Sequence, residues 1–210
     1  SLAIMPKLIE VVKIRQSALG ELAVTKRRYE DAQKANRHYL LLRWMAAMSV
    51  VEVHATWERF AELRLVAALC HNPASFLDEH NIRGIDKIPL GLSRRLIRGN
   101  GRYFDFRSVS DLKGGAAQFL ADCANPFRGI KKTEEAYLDT LSAIRNFIAH
   151  KSDSSLAAYK KSLATTYGIK SKPMPDEFLN AIDHRANSPA KGLTRLHGLL
   201  AILQGVITRI

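Results

Sequence analysis

Three residues in one short stretch have side chains suited to chemistry on a phosphodiester. They are Arg145, Asn146 and His150, within the run Arg145-Asn146-Phe147-Ile148-Ala149-His150. A neutral imidazole takes up a proton readily at neutral pH, because its unperturbed pKa lies close to that value. A guanidinium forks onto two phosphate oxygens and stabilises charge that develops there. The amide can orient the imidazole or the phosphate. RNA brings its own nucleophile, the 2′-hydroxyl, so this set needs no metal to act. The carboxylates and histidines lack metal-ligand spacing, and no cofactor motif is present. Gly114-Gly115 lacks the wider phosphate-loop pattern.

A helix has to position these residues. Thr133 reads as an N-cap, with Glu134 and Glu135 in the first turn facing the positive helix end, and the helix runs to about Lys151. Successive residues turn about 100°. Tyr137, Leu141, Ile144 and Ile148 therefore form one apolar stripe, while Asn146 and His150 share a different face. Arg145 falls on a flank, about 140° around from His150 by the same rotation. Taken alone, an arginine near a helix end is an ordinary solvated charge, and a histidine in the last turn complements the helix dipole.

The remaining elements are helical too. A long amphipathic helix is expected from about Pro6 to Asn36, with Leu8, Val11, Val12, Leu19 and Leu22 apolar and a basic run at Lys26-Arg27-Arg28. The next, from Leu40 to Cys70, is apolar around most of its circumference, which marks the central, buried helix. Pro73, Gly84, Pro89, Gly91, Gly99 and Gly101 break the pattern from His71 to Arg107 into short helices and loops. Helix resumes near Ser110 and ends before Pro126. Ser154 or Ser155 caps the next helix, which Gly168 ends, and Lys170 to Pro175 reads as a loop. Ser188 with Pro189 opens the last helix, carrying Leu193, Leu196, Leu199, Leu200, Leu203 and Val206. No strand pattern of comparable strength and no internal repeat is present. The expectation is one all-α domain over residues 1–210, with an N-terminal helix in 1–39 and a loop-rich insertion at 71–109.

The 210 residues are 47% hydrophobic and 25% charged, enough for a sizeable core and inconsistent with global disorder. Lys and Arg number 32 against 20 acidic residues, a formal net charge of +12. Such a surface attracts RNA, DNA or anionic membrane, although many basic proteins bind none of these. Cys70 and Cys123 are far apart and sit in apolar helical surroundings, which fits a reducing, cytoplasmic setting. No apolar run approaches membrane-spanning length and no signal core is seen, so no membrane partner is expected. Ser1 stands in place of an initiator Met, so the first residues read as a remnant or a processed start.

The Arg145–Asn146–His150 pattern resembles the R-x(4–6)-H ribonuclease motif of the HEPN superfamily, and Val50-Val51-Glu52-Val53-His54 in the preceding long helix looks like the second core helix of such domains. The resemblance extends from Leu40 onward and is nearest to stand-alone toxin or RiboL-PSP-type domains. It implies a helical bundle of the HEPN type that forms a homodimer, with the motif helices meeting at the interface. It also implies a metal-independent endoribonuclease, acting as a toxin or defence effector, with an antitoxin protein as partner. Some members carry Tyr two residues after the His, where it is modified. Here that place is Ser152, so control through such a tyrosine does not carry over. A non-catalytic module that binds nucleotide or a protein partner is the alternative within the superfamily. A basic helical scaffold with a chance motif match is the alternative outside it.

Two further groups stand out. Glu52 lies in a stripe with Met45, Ser49, Thr56, Phe60, Leu63 and Ala67, where a carboxylate is costly unless paired. It either holds Arg145 or His150, or pairs with another arginine, or lies where the stripe, with Ser49 and Thr56, is wet. The segment Ser93 to Arg107 combines Arg94, Arg95, Arg98, Arg102 and Arg107 with Tyr103, Phe104 and Phe106. It reads either as an RNA-guiding loop, with arginines on phosphates and rings on bases, or as a solvated loop whose aromatics pack onto the bundle. Trp44 and Trp57 are expected in the core.

Overall fold

The computed structural model describes residues 5–35, 38–99, 101, 104–171, 173–186, 188 and 191–210, with residues 5–9 described by their backbone alone. In chain order the helices are α1 (Met5–Lys34), α2 (Tyr39–His71), α3 (Ala74–Glu79), α4 (Leu90–Arg98), α5 (Val109–Ala117), α6 (Lys132–His150), α7 (Asp153–Tyr167), α8 (Pro175–Asn180) and α9 (Arg195–Arg209). Two 3₁₀ turns, Asp122–Ala124 and Pro126–Gly129, join α5 to α6. Among the described residues the only extended pairing is an isolated bridge between Ile182 and Thr194. The fold is all-α.

α2 is central because it is apolar all round. It packs against α1, α4, α6, α8 and α9, burying Val50, Val53, Trp57, Phe60, Leu65 and Leu69. α1 packs on α2 and α9 and buries Ala18, Leu22 and Tyr29, the last with its ring 5.5 Å from that of His197 of α9, whereas Val12 is exposed. Asn36, the expected end of the first helix, lies outside the described residues. α6 packs on α2, α7 and α9 through Leu138, Leu141 and Ile144, with Tyr137 and Ile148 completing the stripe as partly buried residues.

Several boundaries differ from those expected, each for a local reason. The helix after Ser110 ends at Ala117 and gives way to 3₁₀ turns. Gly114 and Gly115 weaken its last turn, and the irregular path lets Leu120 and Phe127 enter the core. α6 is capped at Lys131 rather than Thr133. The Glu134 carboxylate accepts the Lys131 backbone N–H at 2.8 Å, and Arg209 binds the same carboxylate at 2.5 Å. α7 is capped by Ser152, whose hydroxyl accepts the Ser155 N–H at 3.2 Å. Gly168 ends α7 at a φ of 68°, as its position implies.

α9 opens at Thr194, after the position marked by Ser188 and Pro189, and Leu193 is exposed ahead of it. Pro189 lies outside the described residues. A polar clamp determines that late start. Arg185 grips Asp183 at 2.9 and 2.6 Å, reaches the Thr166 carbonyl at 3.0 Å, and lies 4.1 Å above the Tyr167 ring. The chain before α9 is thereby fastened to the end of α7. The unforeseen short helix α8 brings Phe178 and Leu179 into the core, and its Asp176 pairs with Arg43 of α2.

Candidate functional site

α6 ends at His150, and Lys151 adopts a left-handed backbone with φ 49°. That single residue reverses the chain so that α7 returns alongside α6. His150 is exposed at the turn, while Arg145 and Asn146 are half-buried. The Arg145 Nη1 donates to Asn146 Oδ1 at 2.9 Å. The guanidinium thus bends from its flank toward the face that Asn146 shares with His150.

The carboxylate whose charge Arg145 influences is Glu58, although no direct contact joins the two. Glu58 stands on α2 one turn beyond His54, whose Nδ1 lies 3.4 Å from Glu58 Oε2 without the geometry of a hydrogen bond. His54 is buried, and its Nε2 lies 3.0 Å from the Ser142 hydroxyl of α6. Ser142 in turn reaches the Leu138 carbonyl at 3.2 Å. The close approach of His54 holds the Glu58 carboxyl below its ordinary range, burial acts against this, and Arg145 adds a smaller lowering. Glu58, His54 and Ser142 therefore form a polar seam through the α2–α6 contact, and Arg145 lies within the field of its carboxylate.

Glu52 belongs elsewhere. It accepts the Thr25 hydroxyl at 3.0 Å and pairs with Arg28 at 3.6 Å, so its stripe of α2 faces α1. Neighbouring Thr56 bonds Glu21 at 2.9 Å on the same side. The carboxylate expected beside the motif is six residues farther on, because six residues turn the helix far enough to face α6 rather than α1.

The basic segment divides. Arg98 grips Glu62 of α2 at 2.5 Å and Arg94 lies 3.8 Å from the same carboxylate, so both anchor α4. Arg95 is exposed. Phe104 and Phe106 are partly buried on the core, with Phe106 edge-on to Trp57 at 6.2 Å. These two rings follow the packing alternative. Arg102 and Tyr103 lie outside the described residues.

Two hollows flank the motif helix. A groove of about 480 Å³ runs between α6 and α7, its surface mostly apolar, with Asp139, Ser142 and Asn146 on one wall and Lys161, Ser162 and Thr165 on the other. On the other side an apolar hollow of about 790 Å³ is lined by Leu40, Trp44, Met48, Phe147, Ile148 and Met174. Trp44 is 59% exposed at its rim, not buried as expected, whereas Trp57 is fully buried.

No protein-family model, curated protein sequence or solved structure matches this chain significantly. Among the described residues no group of three or more His, Cys, Asp or Glu side chains is arranged to hold a metal ion, and no helix is long and apolar enough to cross a membrane. Function therefore has to be argued from the site.

Sequence reasoning missed Glu58. The available signal was the spacing of His54 and Glu58, four apart on one face of a helix otherwise apolar there. Nothing in that spacing said which neighbouring helix the face meets.

Proposed function

We propose that this protein is an endoribonuclease of the HEPN type, in which His150 takes the proton from an RNA 2′-hydroxyl and Arg145 holds the scissile phosphate. The observation that carries this reading is the Arg145–Asn146 hydrogen bond at 2.9 Å, on the face that leads to exposed His150. A guanidinium ordered in this way has less side-chain entropy left to lose on binding a phosphate. It keeps further N–H groups for the phosphate oxygens, because a single Nη1 bond uses one donor of five. Glu58 on α2 adds a negative charge in the neighbourhood of the guanidinium, without contacting it.

The reaction runs as an in-line displacement. The 2′-oxygen attacks phosphorus as His150 accepts its proton, the bond to the 5′-oxygen breaks, and that oxygen leaves with a proton from water. The products are a 2′,3′-cyclic phosphate and a 5′-hydroxyl. Charge that develops on the phosphate oxygens is met by Arg145. The net charge of +12 supports a polyanionic substrate.

The active unit in this reading is a homodimer. The apolar hollow beside the motif supports it. Exposed Tyr39, Leu40 and Trp44, with Phe147 and Ile148 below them, form an apolar surface that a second copy covers while bringing the two His150 residues together. A cytoplasmic toxin or defence role, with an antitoxin partner, belongs to the same proposal.

The test is cleavage of mixed RNA by purified protein, with and without EDTA, and by His150→Ala. Metal-independent cleavage that ends in cyclic phosphate and disappears in the variant supports the reading. Nucleotide binding without cleavage favours the non-catalytic alternative instead.

A further inference from the structure

The face of α6 that carries Asn146 and His150 does not stop at the motif. Counting back at helical spacing, it continues through Ala143, Asp139 and Ala136, with Ser142 on its edge. This is the wall of the groove against α7. The opposite wall is Ala158, Lys161, Ser162 and Thr165, and Arg107 and Ser108 close one end. Alanines on both walls keep the trough open. Its volume of about 480 Å³ is that of a small-ligand site.

Three groups in the groove keep unused hydrogen-bonding capacity. Asn146 accepts from Arg145 through its oxygen, which leaves its amide NH₂ to donate. Asp139 accepts the Val109 backbone N–H at 2.9 Å through Oδ1, and among the described residues its other oxygen makes no hydrogen bond. Lys161 is exposed at the lip. The hydroxyls of Ser162 and Thr165 donate to backbone carbonyls of their own helix, so only their lone pairs face outward. Ser142 is held from behind by His54. Burial raises the Asp139 carboxyl above its ordinary value, and the charges of Glu135 and Asp111 add to this, so an N–H donor in the groove relieves an unfavourable charge.

We propose that the α6–α7 groove is a nucleobase subsite, which takes the base next to the scissile phosphate and prefers bases with an exocyclic amino group over uracil. This rests on the ribonuclease reading above. Asp139 and Asn146 are two helical turns apart, about 10 Å along the axis. That is of the order of the distance from a nucleotide's phosphate to the far edge of its base. With the phosphate at Arg145 and Asn146, the base extends along the groove toward Asp139. The free carboxylate oxygen accepts an N–H of an exocyclic amino group, as adenine, cytosine and guanine offer and as the O4 oxygen of uracil does not. Uracil places the O4 acceptor at that position, and it donates to the carboxylate only by shifting along the groove to offer its N3–H.

The test measures binding and cleavage separately. Short oligo-A, oligo-C and oligo-U strands with 2′-deoxyribose at every position cannot be cleaved by 2′-hydroxyl attack, and their affinities are read by fluorescence anisotropy. Oligo-A and oligo-C should bind about tenfold more tightly than the deoxyuridine strand, the size of one hydrogen bond to a charged group. Asp139→Asn keeps an acceptor for Val109 and turns the free oxygen into a donor, so the ranking should reverse toward the uracil strand. Ala158→Phe fills the groove from an exposed position and should weaken every strand while removing the preference. Equal affinity for all strands, or a ranking unmoved by both variants, overturns the subsite. An absence of cleavage of the matching RNA strands overturns the ribonuclease reading without touching the base preference, so the two failures are distinguishable.

Discussion

The imidazole of His54 on α2 and the hydroxyl of Ser142 on α6 lie 3.0 Å apart inside the protein. On its other side the same ring faces Glu58, and Glu58 lies in the field of Arg145. The carboxylate on the central helix whose charge reaches the motif is therefore Glu58, through a weak long-range effect and no direct contact, rather than Glu52. Glu58→Gln should lower cleavage by about tenfold, in line with the loss of one charge in the neighbourhood of the guanidinium. Glu52→Gln should leave the rate unchanged, since Glu52 serves the α1–α2 contact. Steady-state cleavage of one defined RNA checks both, and equal effects of the two variants count against the assignment.

His150→Ala should reduce cleavage by about 10²–10⁴-fold, the usual contribution of a positioned acid–base group, and Arg145→Ala by about 10²–10³-fold, that of one donor stabilising developing charge. Neither side chain belongs to the buried core, so far-ultraviolet circular dichroism of both variants should match the parent. A folded variant with full activity removes that residue from the mechanism.

Dilution tests the dimer. Light scattering and specific activity should fall over the same concentration range, and Trp44→Asp should shift both toward higher concentration. A monomer with full activity sinks the shared assembly, whatever the point variants do.

Salt dependence separates the arginines of α4. Arg94 and Arg98 are engaged with Glu62, whereas Arg95 is exposed. If α4 guides RNA, Arg95→Gln should reduce the slope of log affinity against log salt by about 1, one fewer phosphate contact. An unchanged slope assigns the binding charge to another surface.

Acid should loosen the chain before α9. Hydrogen bonding from Arg185 depresses the Asp183 carboxyl well below its ordinary value. A group with a depressed folded pKa contributes its stability in full above the unfolded pKa, near 4 for aspartate, and loses it as pH falls through the folded value. The midpoint of thermal unfolding should drop below about pH 4, and the drop should be shallower in Asp183→Asn. At neutral pH that variant should be less stable by about 2–3 kcal/mol, because Asp183 is buried and Arg185 loses its charged partner. A pH profile identical in the two proteins places the acid sensitivity elsewhere.

Periodicity alone determined that the chain is helical, that Leu40 to Cys70 supplies the central helix, and that Asn146 and His150 share a face, because these follow from local spacing. Gly168 marked a helix end for the same reason, since a left-handed backbone favours glycine there. Which helix each face of α2 meets was not local information. Glu52 and Glu58 look alike in the sequence, and only packing gave one to α1 and the other to α6. Trp44 and Trp57 have similar apolar neighbours, yet α2 buries one and leaves the other at the rim of an open hollow. The groove beside Asp139 exists only because a left-handed Lys151 folds α7 back along α6, a long-range consequence of one residue's backbone that side-chain pattern does not encode.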